Sequence, residues 1–122
     1  MQNDARKLVI LMTRGIDSEL SSVAFTIACG GITAGLKVSM FLTSAAVDVV
    51  RRNGQAMTHV PPLDTLANLI ADFQKRGGTI WACTPCVKAR GYEQSDFLEG
   101  VIITGASVMH NEIKEGAATV SF

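Results

Sequence analysis

Lys7-Leu8-Val9-Ile10-Leu11-Met12-Thr13 places an unbroken apolar run between a cation and a threonine. A run of this length, without polar alternation, suits a strand buried on both faces of a parallel sheet. Downstream, Arg14-Gly15-Ile16-Asp17-Ser18 breaks the pattern and offers Asp17 or Ser18 as a helix N-cap. Leu20, Val23, Ala24, Ile27, Ala28 and Gly31 follow at helical spacing, with Gly30-Gly31 and Gly35 weakening the end. Lys37 to Leu42 reads as a second strand. Thr43-Ser44 opens a second helix, closed by Arg51-Arg52-Asn53-Gly54.

Residues 55–60 read as a loop, and Pro61-Pro62 as the start of a third helix with Leu63, Leu66, Leu69, Ile70 and Phe73 on one stripe. Thr79 to Cys83 and Val101 to Thr104 are short strands. Ala106 to Glu115 reads as a helix, and Ala118 to Phe122 as a last strand. This alternation predicts an α/β fold: an open, mainly parallel five-stranded sheet with helices on both faces. In the flavodoxin-like order 2-1-3-4-5 the switch point lies between the first and third strands, which end at Thr13 and Cys83. On that order, topology points at the cysteine.

Composition narrows the class. A chain of 122 residues makes one domain, spanning residues 1–122. Apolar residues at 48% and charged residues at 18% exclude intrinsic disorder and are rich for a monomer's surface. Eleven basic against eleven acidic residues argue against nucleic acid, whose binders carry a basic excess. No run approaches the roughly 18 apolar residues of a membrane span, and the first seven residues lack the pattern of a signal peptide. Three cysteines are too few for a disulfide framework, which indicates a reducing cytoplasm.

The chemistry concentrates in Trp81-Ala82-Cys83-Thr84-Pro85-Cys86-Val87-Lys88-Ala89-Arg90-Gly91. Cys83 ends a strand, and Pro85 suits the first turn of a helix. Cys83 is then expected at or just before the N-cap, facing free N–H groups that favour thiolate over thiol. Lys88, Arg90 and, if the first loop packs alongside, Arg14 add positive charge. Three other readings stand beside this one. The Cys-x-x-Cys spacing is half a zinc site, but Cys29, His59 and His110 supply no second half. It also suits a thioredoxin-like dithiol, although it falls late in the chain and no proline follows it. Inert, buried cysteines are the third.

The opening Lys7–Gly15 segment, the Pro-Pro-Leu at 61–63, and Cys83-Thr84-Pro85-Cys86 followed by Lys88, Arg90 and Gly91 resemble the DsrE/DsrF-like family, which includes the TusD-type sulfur-relay subunits. The most specific part is the spacing from Cys83 to Arg90-Gly91. The resemblance implies a flavodoxin-like subunit that assembles into homotrimers or homohexamers. It implies that Cys83 accepts sulfane sulfur as a persulfide and passes it to a carrier, such as a TusA-like protein. Cys86 departs from the simplest pattern, leaving open whether sulfur goes to a partner or is resolved as a Cys83–Cys86 disulfide. The expected site is Cys83 and Cys86, with Thr13, Arg14, Asp17, Thr84, Lys88 and Arg90 lining the pocket, and no cofactor or metal.

The remaining residues carry less. Cys29 falls among apolar residues of the first helix and reads as a core thiol. His59 reads as a loop residue, with a proton-carrying role beside a neighbouring subunit's cysteine as the alternative. His110 is expected to face solvent, and Trp81 to serve the core or a subunit contact. Neither G-x-G-x-x-G nor a Walker sequence occurs, which argues against nucleotide. An apolar composition and a final strand ending at Phe122 point to a homo-oligomer.

Overall fold

The computed structural model describes residues 6–122; the signal-peptide reading of residues 1–5 lies outside them. Strands β1 (Lys7–Met12), β2 (Lys37–Leu42), β3 (Thr79–Cys83), β4 (Ile102–Thr104) and β5 (Ala118–Ser121) form one sheet. Every pairing is parallel. Helices α1 (Glu19–Thr33), α2 (Leu66–Lys75), α3 (Thr84–Ala89) and α4 (Ser107–Lys114) connect them, as expected for an open, flavodoxin-like α/β architecture.

The order within that architecture is β4-β3-β2-β1-β5, in place of 2-1-3-4-5. The third strand extends the sheet beyond β2, with Met40 opposite Ile80 and Leu42 opposite Ala82. The free edge of β1 is taken by β5, with Leu8 opposite Ala118 and Ile10 opposite Val120. The chain therefore reverses at β1/β5, where Thr13 N–H donates to the Phe122 carbonyl at 2.9 Å. Cys83 sits on the carboxyl rim of the sheet but away from the switch point.

Alternation of side chains divides the sheet between two layers. Leu8, Ile10, Met12, Val38, Met40, Leu42, Ile80 and Ala82 share one core cluster with Phe25 and Ala28 of α1 and Leu66, Ile70 and Phe73 of α2. On the other face α4 covers β1, with Met109 and Ile113 against Val9 and Leu11 around a cavity of about 220 Å³. Lys7 ties the start of β1 to Glu112 and Glu115 of that helix. Beyond α4, Ile102 is 48% exposed. Among the described residues no helix is long and apolar enough to cross a membrane.

Two helices differ from their sequence reading. Ser44–Val50 is a 3₁₀ helix, not an α-helix. Its three valines are poor helix formers, and Ala46, Val47, Val49 and Val50 are all buried, so packing sets its shape. The third helix begins at Leu66, not at Pro61. Pro62 disfavours helical backbone in the residue before it, and Thr65 supplies the cap by accepting the Asn68 N–H at 3.2 Å. Helix α1 begins as read, with Ser18 accepting the Leu20 N–H at 3.2 Å, but runs through Gly30-Gly31 to Thr33.

Phe73 meets Phe25 edge to face, with centroids 5.8 Å apart and planes at 81°. The ring lies directly over Gly78, where a methyl group would run into it. Gly78→Ala is therefore expected to cost roughly 1–3 kcal/mol by overpacking, read from the urea midpoint. An unchanged midpoint would show that the ring is free to turn aside.

Candidate functional site

Parallel strands release all their following loops at one rim, and those after β2 and β3 meet here. β3 ends at Cys83, whose backbone is extended (φ −64°, ψ 121°) and serves as N-cap of α3. Pro85 lies in the first turn, where its missing N–H costs nothing. One helical turn places Cys86 over the end of the neighbouring strand β2. There the Cys86 Sγ lies 3.1 Å from the Ser44 backbone nitrogen and 3.3 Å from the Thr43 hydroxyl. Ser44 reaches this position in the left-handed region, at φ 56°. For a non-glycine residue that conformation costs about 1–2 kcal/mol.

The hydrogen-bond donors thus fall on Cys86. Cys83, expected to face the free N–H groups of α3, makes no side-chain capping bond. Burial alone would push the Cys86 thiol up. Hydrogen bonds from Thr43, from the Ser44 N–H and from the Cys83 thiol, with the Arg90 guanidinium nearby, reverse this and hold it below the ordinary thiol value. Cys83 is buried and Cys86 half-buried. Cys83 also lies outside the main core cluster, on the rim side of Ala82.

Arg90 is fixed from two sides. Its Nη1 donates to the Cys86 carbonyl at 3.3 Å, and its Nε lies 3.8 Å from Asp48 Oδ2. Asp48 accepts the Tyr92 hydroxyl at 2.6 Å, and Arg51 stacks over the Tyr92 ring at 4.3 Å. Asp48, Tyr92, Thr43 and Ser44 were not legible as site residues in the sequence.

The other expected residues disperse. Thr84 is the first residue of α3 and half-buried, while Lys88 is exposed near its end. Thr13 donates its hydroxyl to the Phe122 carbonyl at 2.9 Å, at the β1/β5 end of the rim. Arg14 and Asp17 are exposed on the β1–α1 loop. That loop packs on the 3₁₀ helix at Gly15 and Ala45, but β1 and β3 are separated by β2, about 10 Å at the usual strand spacing. Arg90, not Arg14 or Lys88, is the cation that acts on Cys86. His59 is exposed, its Nε2 3.1 Å from the Leu63 carbonyl; His110 is exposed on α4. No group of three His, Cys, Asp or Glu side chains converges among the described residues.

Cys29 is the opposite kind of thiol. Its Sγ lies 3.6 Å from the Leu69 carbonyl, and burial, then the Asp72 carboxylate, push it up to about 11.

The DsrE/DsrF-like family model matches residues 6–122. An uncharacterised protein of Methanopyrus kandleri is 28% identical over 114 residues, covering 93% of this chain and 91% of that protein. One of Methanocaldococcus jannaschii is 29% identical over 115 residues, covering 93% and 96%. Among solved structures, the ychN protein from E. coli superposes with a TM-score of 0.77 at 15% identity, covering 98% of this chain and all of that one. A protein of unknown function from Methanobacterium thermoautotrophicum gives 0.73 at 19%, with the same coverage. At these identities the two structures speak to the fold.

Alkylation of the folded protein by iodoacetamide is expected to modify Cys86 with a pH midpoint below the ordinary 9.0, because the thiolate persists to lower pH. Cys29, with its proton held to about 11, is expected to lag. Its raised value also favours the folded state fully below about 9 and ceases to do so as pH rises through about 11. Peptide mapping against pH measures both midpoints; a Cys86 midpoint at or above that of Cys29 contradicts the assignment.

Proposed function

The chain belongs to the DsrE/DsrF-like family, and from that premise we propose that it is a cytoplasmic sulfur-relay protein. It accepts sulfane sulfur, holds it as a persulfide on Cys83 and passes it to the thiol of an acceptor protein, a TusA-like carrier being the kind of partner that family suggests. One observation carries the reading: two thiols meet at the rim of the sheet, and one of them is held toward thiolate by Thr43 and Ser44. A persulfide adds one S–S bond, about 2 Å, to the side chain. Sulfur held on Cys83 therefore has a buried foot and an outer atom one bond further from the backbone. Such transfer moves sulfur between thiols at one oxidation level and needs no dissociable cofactor.

The test is uptake and delivery. Wild type incubated with glutathione persulfide is expected to gain sulfur by intact-mass spectrometry and to lose it to an added acceptor thiol protein. The Cys83→Ser/Cys86→Ser double variant should gain none, and Cys83→Ser should fail to deliver. Equal uptake by the double variant would move the chemistry to Cys29 and end the reading.

The contact between the two thiols also favours a second reading, a dithiol oxidoreductase cycling through a Cys83–Cys86 disulfide. That reading requires a reversible intramolecular disulfide and full loss of reductase activity in Cys86→Ser. A non-catalytic assembly subunit, the third possibility, would show neither sulfur uptake nor disulfide.

Exposure of Ile102 (48%), Ile113 (40%) and Val120 (40%) supports self-association, and the family suggests a homotrimer or homohexamer. Light scattering coupled to size exclusion is expected to give a mass of three or six chains; a monomer at micromolar concentration would refute it.

A further inference from the structure

The two cysteines of the rim differ in exposure and in the hydrogen-bond donors aimed at them. Cys86 is half-buried and Cys83 buried. The Cys86 sulfur faces the Ser44 N–H at 3.1 Å and the Thr43 hydroxyl at 3.3 Å. Ser44 holds its N–H there only by adopting φ 56°, a conformation found where surrounding structure enforces it and clustered at functional sites. Arg90 is braced beside Cys86 by Asp48, which is itself held by Tyr92. The Cys83 side chain makes no capping bond with α3.

We propose that Cys86, not Cys83, is the entry nucleophile, and that Thr43 and Ser44 form the cradle that stabilises its thiolate. This rests on the relay reading and assigns the order of its steps. The Cys86 thiolate attacks the terminal sulfur of a donor persulfide, R–S–SH. A Cys86–sulfur bond forms, the donor's S–S bond breaks, and the donor leaves as the thiolate RS⁻. Cys83 then attacks the same sulfur. The Cys83–sulfur bond forms, the Cys86–sulfur bond breaks, and the proton of the Cys83 thiol passes to the departing Cys86 sulfur. The transferred sulfur keeps its oxidation state throughout, so no oxidant or reductant enters. The products are a Cys83 persulfide and a Cys86 thiol that re-ionises in its cradle. Asp48 is a positioning residue here, acting through Arg90.

The experiment is single-turnover loading with glutathione persulfide, quenched by alkylation and mapped by peptide mass spectrometry. In wild type, sulfur is expected on Cys86 before Cys83. Cys83→Ser is expected to retain the sulfur on Cys86 and to pass none onward. Cys86→Ser is expected to load at least about tenfold more slowly at neutral pH. Thr43→Val keeps the side-chain shape and both cysteines; it should slow loading about fivefold, what one hydrogen bond contributes, and shift the rate–pH midpoint upward. Asp48→Asn should shift that midpoint in the same direction, which a purely structural role would not. Loading of Cys83 at the wild-type rate in Cys86→Ser, or an unmoved midpoint in Thr43→Val, overturns this proposal while leaving the relay reading intact. Absence of sulfur from both cysteines of wild type overturns both.

Discussion

The parallel pairing of β2 with β3 is the constraint on which the site depends. Met40 lies opposite Ile80, and Leu42 opposite Ala82, so both strands end at the same height on the rim. A register fixed by buried side chains on one face cannot slip by one residue without turning that whole set to the other side. Met40, Leu42, Ile80 and Ala82 are all buried in the core, so the register is held. From that register it follows that Thr43 and Ser44 emerge beside the first turn of α3. The distance between a cysteine and its donors is thus set by core packing several residues away.

Ser44 shows how local strain is tolerated for such a contact. A left-handed serine is unfavourable by itself, yet the segment after it, Ala46, Val47, Val49 and Val50, is wholly buried. Gln55, also buried, donates to the Val49 carbonyl at 2.8 Å and the Arg51 carbonyl at 3.0 Å, fixing the far end of the turn. The same 3₁₀ helix carries Asp48, so one rigid piece supplies both the donor to the sulfur and the anchor for Arg90. Had the segment formed the regular helix its spacing suggests, Ser44 would have had no cause to leave the ordinary helical region.

Much of the architecture was legible because it is local. The apolar run at Leu8–Met12 and the run at Val38–Leu42, broken only by Ser39, read directly as buried strands, and Pro85 after Cys83 marks the strand-to-helix turn. Strand order was not legible. Whether the third strand lies against the first or beyond the second depends on contacts between segments some forty residues apart, and propensity carries no information on that choice. That choice decides the site: with β3 beside β1, Arg14 and Asp17 are the natural neighbours of the cysteine, whereas with β3 beside β2 the neighbours are Thr43 and Ser44. A threonine and a serine after a strand look like an ordinary helix cap, and nothing in their identity marks them as partners of a thiol.

The three cysteines together separate what the side chain supplies from what the fold supplies. All carry the same thiol. Cys29 lies between two helices against a carbonyl and near the Asp72 carboxylate, with no amide aimed at it, and its proton is held tightly. Cys86 is also partly desolvated, which acts in the same direction, yet the donors from Thr43, Ser44 and Cys83, with the Arg90 charge, together outweigh it. Desolvation raises the cost of the anion, but it also removes the water that would screen a well-placed N–H. The same partial burial that silences Cys29 therefore strengthens the hydrogen bonds at Cys86, and the sign of the result depends on whether the surrounding backbone presents N–H or C=O.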